Sequence, residues 1–167
     1  MRGGRGSFLL LLFVAVVLLR PWESWDGIWR DDPPGSAHAY VTRVVDGDTV
    51  EVRLGGKVED VRYIGVDTPE TVKPGEPVQC FGPQASAFNH RLVEGRRVKL
   101  VFDVQRRDVY GRLLAYVYLG KRFVSAELVR RGLARTLTIP PDDRFAGRLK
   151  RLEMAAARAG RGLWGAC

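Results

Sequence analysis

The chain predicts a mainly β domain with appended helices, an α+β protein built on a small five-stranded barrel. Residues 40–66 alternate apolar and polar side chains around a Gly55-Gly56 turn. Residues 97–103 and 112–119 are two more β-rich runs. Helical spacing falls only between and after these runs, and Gly or Pro bounds it.

The elements follow in order. Tyr40, Thr42 and Val44 alternate with Val41, Arg43 and Val45, and Val50, Val52 and Leu54 alternate with Glu51 and Arg53. Gly55-Gly56 turns the chain into a hairpin. Val58, Asp60, Arg62 and Ile64 then alternate with Glu59, Val61, Tyr63 and Gly65. Residues 71–81, with Pro74, Gly75 and Pro77, read as a loop. Gly82-Pro83 opens a helix, because proline suits the first turn, and Ala87, Phe88, Leu92 and Val93 give it an apolar face until Gly95. After strands 97–103 and 112–119, Gly120-Lys121 turns into a short fifth strand. Ser125 is placed to cap a helix that Gly132 stops. Asp142 or Asp143 is placed to cap the last helix, whose Phe145, Leu149, Leu152 and Ala156 form one buried stripe. Five strands with about three helices inserted and appended describe an OB-like barrel over residues 40–167.

The N-terminus reads as an address. Residues 8–19 are wholly apolar, preceded by Arg2 and Arg5 and followed by Arg20-Pro21. A basic start before a short apolar run is a secretory signature. At 1.5 Å per residue the run spans roughly 18 Å, short of a ~30 Å hydrocarbon core. No small-x-small cleavage site follows closely; the nearest is Ala37-His38-Ala39. Residues 1–20 are therefore a signal peptide or an N-terminal membrane anchor. The protein is expected to be exported, secreted or tethered, with its domain outside the cytoplasm. Residues 21–39 read as a Pro/Trp-rich linker, whose Trp22, Trp25 and Trp29 suit either a membrane interface or the domain surface.

Cys80 and Cys167 are the only cysteines, and in an exported chain they can pair. Two cysteines and two histidines at scattered spacing make no zinc site. Net charge is +8 over 167 residues, and residues 1–39 sum to zero, so the whole excess lies in the domain. A basic domain attracts polyanions. No obligate protein partner is implied, and a monomer is expected.

Three segments carry the chemistry: Asp46-Gly47-Asp48-Thr49, Val66-Asp67-Thr68-Pro69-Glu70-Thr71 and Asp108-Val109-Tyr110-Gly111-Arg112. Carboxylates can hold a hard cation and arginines an anion, the pairing that phosphodiester cleavage needs. Asp46 reads as a turn residue and Asp108 as a loop organiser. His38 and His90 lie outside every motif.

From about Tyr40 to Trp164 the chain resembles the staphylococcal-nuclease-like (thermonuclease) domain family. The matching pieces are Val45–Val50, Arg62, Val66–Thr71, Gly82–Phe88, Asp108–Tyr116, Ala126–Ala134 and Gly162-Leu163-Trp164. The resemblance implies an OB-fold barrel and calcium-dependent hydrolysis of DNA and RNA, single-stranded or frayed, leaving 3′-phosphate ends. It places Asp48 and Asp67 as carboxylate ligands of calcium, with the backbone carbonyl of Thr68. It places Glu70 beside the attacking water, Arg62 and Arg112 on the scissile phosphate, and Tyr110 on a neighbouring phosphate. Tyr63 and Leu114 take positions where the family lines a base pocket, and core packing suits both equally. The chain departs from the family's type member at Val109, where that protein has lysine. It departs again in Thr136-Leu137-Thr138-Ile139-Pro140, which lacks the tyrosines that flank the base. A nucleic-acid-binding module without catalysis is the alternative, and it is expected to lose the carboxylates or arginines that this chain keeps.

Overall fold

The computed structural model describes residues 35–71, 75 and 77–167. The apolar segment 8–19, the three linker tryptophans and Pro74 lie outside the described residues.

The strands are β1 (Ser36–Val44), β2 (Thr49–Leu54), β3 (Lys57–Tyr63) and β4 (Gly65–Asp67), followed by helix α1 (Gly82–Val93). Then come β5 (Arg97–Val101), β6 (Leu113–Leu119), β7 (Arg122–Phe123), α2 (Val124–Arg130), β8 (Arg135–Leu137), α3 (Ala146–Arg158) and the short α4 (Leu163–Ala166). Strands β3, β2, β1, β5 and β6 join by antiparallel pairing. Strand β3 then pairs with β6 in parallel and closes the barrel. The alternation seen in the sequence selects the inside: Val41, Val50, Val52, Val61, Val98, Leu100, Ala115 and Val117 are fully or almost fully buried. Side chains that alternate along a strand face opposite sides of the sheet. Partners such as Arg53 and Arg97 therefore point outward and are exposed.

Four details differ from the sequence expectation. Strand β1 begins at Ser36, so residues 36–39 are strand rather than linker; their register runs from Ser36↔Val101 to Ala39↔Val98. Pairing with β5 decides this, since Ser-Ala-His-Ala has little β preference of its own. The strand after Gly120 exists, but it is a two-residue partner of β6 outside the closed ring. Ser125 is not a cap: α2 starts at Val124, and the buried Ser125 hydroxyl donates to the Ile64 carbonyl at 3.2 Å. Neither Asp142 nor Asp143 caps α3 with its side chain. Asp142 instead accepts from the Gln105 backbone N–H at 2.8 Å, tying the β8–α3 connection to the segment before β6.

The α3 stripe forms as expected, with Leu149 and Ala156 fully buried and Phe145 and Leu152 packed against the core. Phe145 meets Tyr116 edge-on at 4.7 Å between ring centres, a favoured aromatic arrangement. Glu153, on the same face, is buried. Its carboxylate accepts from the Thr136 N–H and hydroxyl, both at 2.8 Å, and from Lys150 Nζ at 2.6 Å. Burial pushes the Glu153 carboxyl up, but these donors outweigh it and leave the group below its ordinary value. That contact fixes β8 on α3, and β8 in turn pairs with β4, setting Asp67 opposite Arg135.

Candidate active site

The barrel register delivers the charged groups to one rim. Strand β3 pairs Arg62 with Leu114 of β6, so Arg112, just before β6, comes to the same edge. Arg62, Arg112, Tyr110, Leu114 and Tyr63 line one cavity of about 320 Å³.

Asp48 lies in the β1–β2 turn. Asp46 shapes that turn by accepting from the Asp48 N–H at 3.0 Å, as a turn residue does. The Asp48 carboxylate is 4% exposed. Its Oδ2 accepts from the Thr68 N–H at 2.7 Å and the Thr68 hydroxyl at 2.9 Å. Arg62 Nη1 reaches the same oxygen at 2.9 Å, while Arg62 Nη2 reaches Asp67 Oδ1 at 2.8 Å. Arg62 thus bridges the two carboxylates and also donates to the Val66 carbonyl at 2.9 Å. The approach of the two loops is close enough that a Cβ on Gly47 would stand 2.6 Å from the Thr68 hydroxyl.

Burial pushes the Asp48 carboxyl up to about 7, with Arg62 opposing and Asp46 adding to the rise. The donors are oxygens only, which suits a hard divalent cation. Among the described residues no cluster of three or more carboxylate, histidine or cysteine side chains forms a complete cage. Asp48, Asp67 and a carbonyl such as that of Thr68 would supply part of a shell, and such cations accept water and phosphate oxygens for the rest.

Glu70 follows on the same segment. Its backbone N–H donates to Gln79 Oε1 at 3.0 Å, and the Gln79 N–H donates back to the Glu70 carbonyl at 2.9 Å. One carboxylate oxygen of Glu70 accepts from the Thr71 N–H at 2.9 Å. Beside Gln79, the sulfurs of Cys80 and Cys167 lie 2.09 Å apart, so the C-terminus is anchored next to the residue that grips Glu70.

Arg112 is organised by Asp108. The carboxylate accepts from Arg112 Nε at 2.7 Å and from the backbone N–H groups of Tyr110 and Arg112, both at 3.0 Å. Tyr110 and Val109 project outward at 82% and 91% exposure, leaving the phenol accessible. Tyr63 borders the cavity but is a core residue, 2% exposed, and its hydroxyl donates to Asn89 at 3.1 Å. Leu114 is half-buried at the cavity wall, and Leu137 and Ile139 complete an aliphatic edge.

Two supporting residues escaped the sequence reading. Asn89 is fully buried on α1, and its amide donates to the Asp46 carbonyl at 3.1 Å, holding the Asp48 turn. It sits on the helix face of Ala85, Leu92 and Val93, so a polar residue at an apolar position was its signal. Gln79 carries no such periodic signal, because it lies in a loop.

A closed five-stranded barrel with one buried and one exposed carboxylate bridged by an arginine, and a second arginine on the same rim, has the equipment of a phosphodiester hydrolase. The comparisons make the assignment specific: the chain belongs to the staphylococcal nuclease homologue family, whose model matches residues 60–166. The thermonuclease of Staphylococcus intermedius is 39% identical over 159 residues, covering 93% of this chain and 94% of that protein. The thermonuclease of Staphylococcus hyicus is 44% identical over 124 residues, covering 74% of this chain and 73% of that protein. The SPbeta prophage-derived endonuclease YokF of Bacillus subtilis is 43% identical over 124 residues, 73% of this chain and 42% of that protein. The chain is accordingly a nuclease, a hydrolase acting on nucleic acid.

Proposed function

We propose that the chain is an exported, calcium-dependent nuclease that cuts DNA and RNA with little sequence preference and leaves 3′-phosphate ends. The observation that carries this reading is the Arg62 bridge between Asp48 and Asp67, with Arg112 lining the same cavity. Asp48, Asp67 and the Thr68 carbonyl would hold calcium, which supplies Lewis-acid polarisation of the phosphoryl group.

The chain's own residues do the rest. Glu70 orients the attacking water, held in place by Gln79 and Thr71. The water oxygen bonds to phosphorus and releases a proton to solvent, the P–O5′ bond breaks, and the 5′ oxygen leaves with a proton drawn from solvent. Arg112, fixed by Asp108, offsets charge that grows on the phosphoryl oxygens. Arg62 does the same once its carboxylate partners are engaged elsewhere. Tyr110 meets a neighbouring phosphate. These contacts address phosphate, which specifies no base. Export rests on the basic, apolar start of the sequence and on the proximity of Cys80 and Cys167, whose pairing suits an oxidising compartment.

The test is hydrolysis of single-stranded DNA by the full chain in calcium and in chelator, beside Glu70→Gln, with end analysis of the products. Calcium-dependent cleavage to 3′-phosphates that collapses in the variant supports the proposal. DNA binding without cleavage by folded protein would replace it with the binding-module reading.

A further inference from the structure

A second concavity lies beside the site, between α1 and the turn after α2. This groove of about 490 Å³ is walled by Pro83, Gln84, Phe88 and Arg91 on one side and Arg131 and Leu133 on the other. Among the described residues no acidic side chain lines it. The Arg131 guanidinium lies over the Phe88 ring, 4.8 Å from its centre, making a flat cationic platform. Arg131 and Arg130 share a single carboxylate, Glu127, at 3.6 and 2.6 Å, so that trio keeps a positive charge. Arg91 is exposed and makes no ion pair among the described residues.

Both walls run directly into the catalytic segment. Helix α1 begins at Gly82, where an added Cβ would stand 3.0 Å from the carbonyls of both Glu70 and Pro69. The other wall continues from Leu133 into β8, where Arg135 pairs with Asp67. The start of α1 thus touches the segment that carries Glu70, and the other wall leads along the chain to the strand that pairs with Asp67.

We infer that this groove takes the stretch of single-stranded nucleic acid flanking the cleaved bond, with phosphates on Arg91 and Arg131 and a base stacked on the guanidinium plane above Phe88. The inference rests on the nuclease reading of the neighbouring site and gives that site an extended substrate track. Charge selects the occupant: Arg91 and the net positive Arg130–Arg131–Glu127 trio face a concavity that no acidic side chain lines among the described residues. Arginine planes stack unpaired bases and grip phosphate at once, so the track favours single strands over duplex.

The test compares the full wild-type chain with Arg91→Gln/Arg131→Gln on two substrates. One is a dinucleotide, which spans only the catalytic rim. The other is a single-stranded DNA of about 20 nucleotides, longer than the roughly 4–16 that one OB barrel covers. The ratio of kcat/KM on the long substrate to that on the dinucleotide should fall on the order of ten-fold. Binding of the long strand in chelator should show a salt slope shallower by about 1.4, at about 0.7 per lost phosphate contact. Arg91→Gln alone, which disturbs no ion pair, should give about half that change in slope. An unchanged ratio with an unchanged slope overturns the groove, as does an equal loss on both substrates. If the wild-type chain cleaves neither substrate, the nuclease reading fails, and the slope measured in chelator still decides the groove.

Discussion

Removing the link between Cys80 and Cys167 should cost this fold a large part of its stability. The two residues are 87 apart in sequence. On the chain-entropy model, closing a loop of that size restricts the unfolded chain by about 15 cal/mol/K, or about 4.6 kcal/mol at 25 °C. An unfolding entropy of about 2.1 cal/mol/K per residue gives roughly 280 cal/mol/K for residues 35–167. The Cys80→Ser/Cys167→Ser variant should therefore melt roughly 16 °C below the oxidised wild type. Its urea midpoint should fall with the slope of the transition also changed, because a cross-linked unfolded chain exposes less surface. The measurement is paired thermal and urea unfolding of both proteins, with reductant added to the wild type as a third arm. Reduction should bring the wild type to the variant's stability. A loss under about 1 kcal/mol would refute the reasoning, since it would mean that the two cysteines do not cross-link the chain or that the unfolded state is already compact.

Other perturbations probe the site and its supports. Gln79→Ala removes the side-chain acceptor of the Glu70 N–H, so kcat should fall about ten-fold with KM nearly unchanged in steady-state assays. Arg62→Gln leaves Asp48 and Asp67 without their bridging cation, so urea unfolding in chelator should show a loss of about 3 kcal/mol. Calcium should recover much of that stability, because a ligand that binds only the folded state stabilises it by mass action. Cleavage by the same variant should stay at least about 100-fold low. Glu153→Ala should cost about 3 kcal/mol through its lost hydrogen bonds to Thr136 and Lys150. Because the folded Glu153 carboxyl lies below its unfolded value of 4.5, its contribution is complete above that pH. It is lost as pH falls through the lower folded value. An unfolding series from pH 6 to pH 2.5 should accordingly show a shallower acid loss in Glu153→Ala than in the wild type.

Much of the barrel was legible because its strands bury one face. Val50 and Val52, or Val61 and Tyr63, mark the inside by a period of two, and the Gly55-Gly56 turn sets their register. The helix stripe at Leu149 and Ala156 was legible for the same reason at a different period. What escaped depends on tertiary contact. Strand β1 gains residues 36–39 only because β5 offers them a partner. Ser125 and Asp142 have side chains that cap helices locally, yet each is claimed by a distant backbone group, Ile64 and Gln105 respectively. The charged residues were recognised by their motifs, but not their mutual geometry. Nothing in the spacing shows that Arg62 engages both Asp48 and Asp67 before any phosphate arrives. Gln79 sits in a loop without period, and only the folded chain brings it against Glu70.

The parallel pairing of β3 with β6 has a consequence for when this enzyme becomes dangerous. Arg62 and Arg112 reach a common rim only through that seam. Contacts between residues so far apart along the chain form late and all at once, after local hairpins are already in place. An unfolded chain would carry every reactive side chain yet possess no competent centre. Destructive chemistry would then switch on only with completion of the tertiary structure.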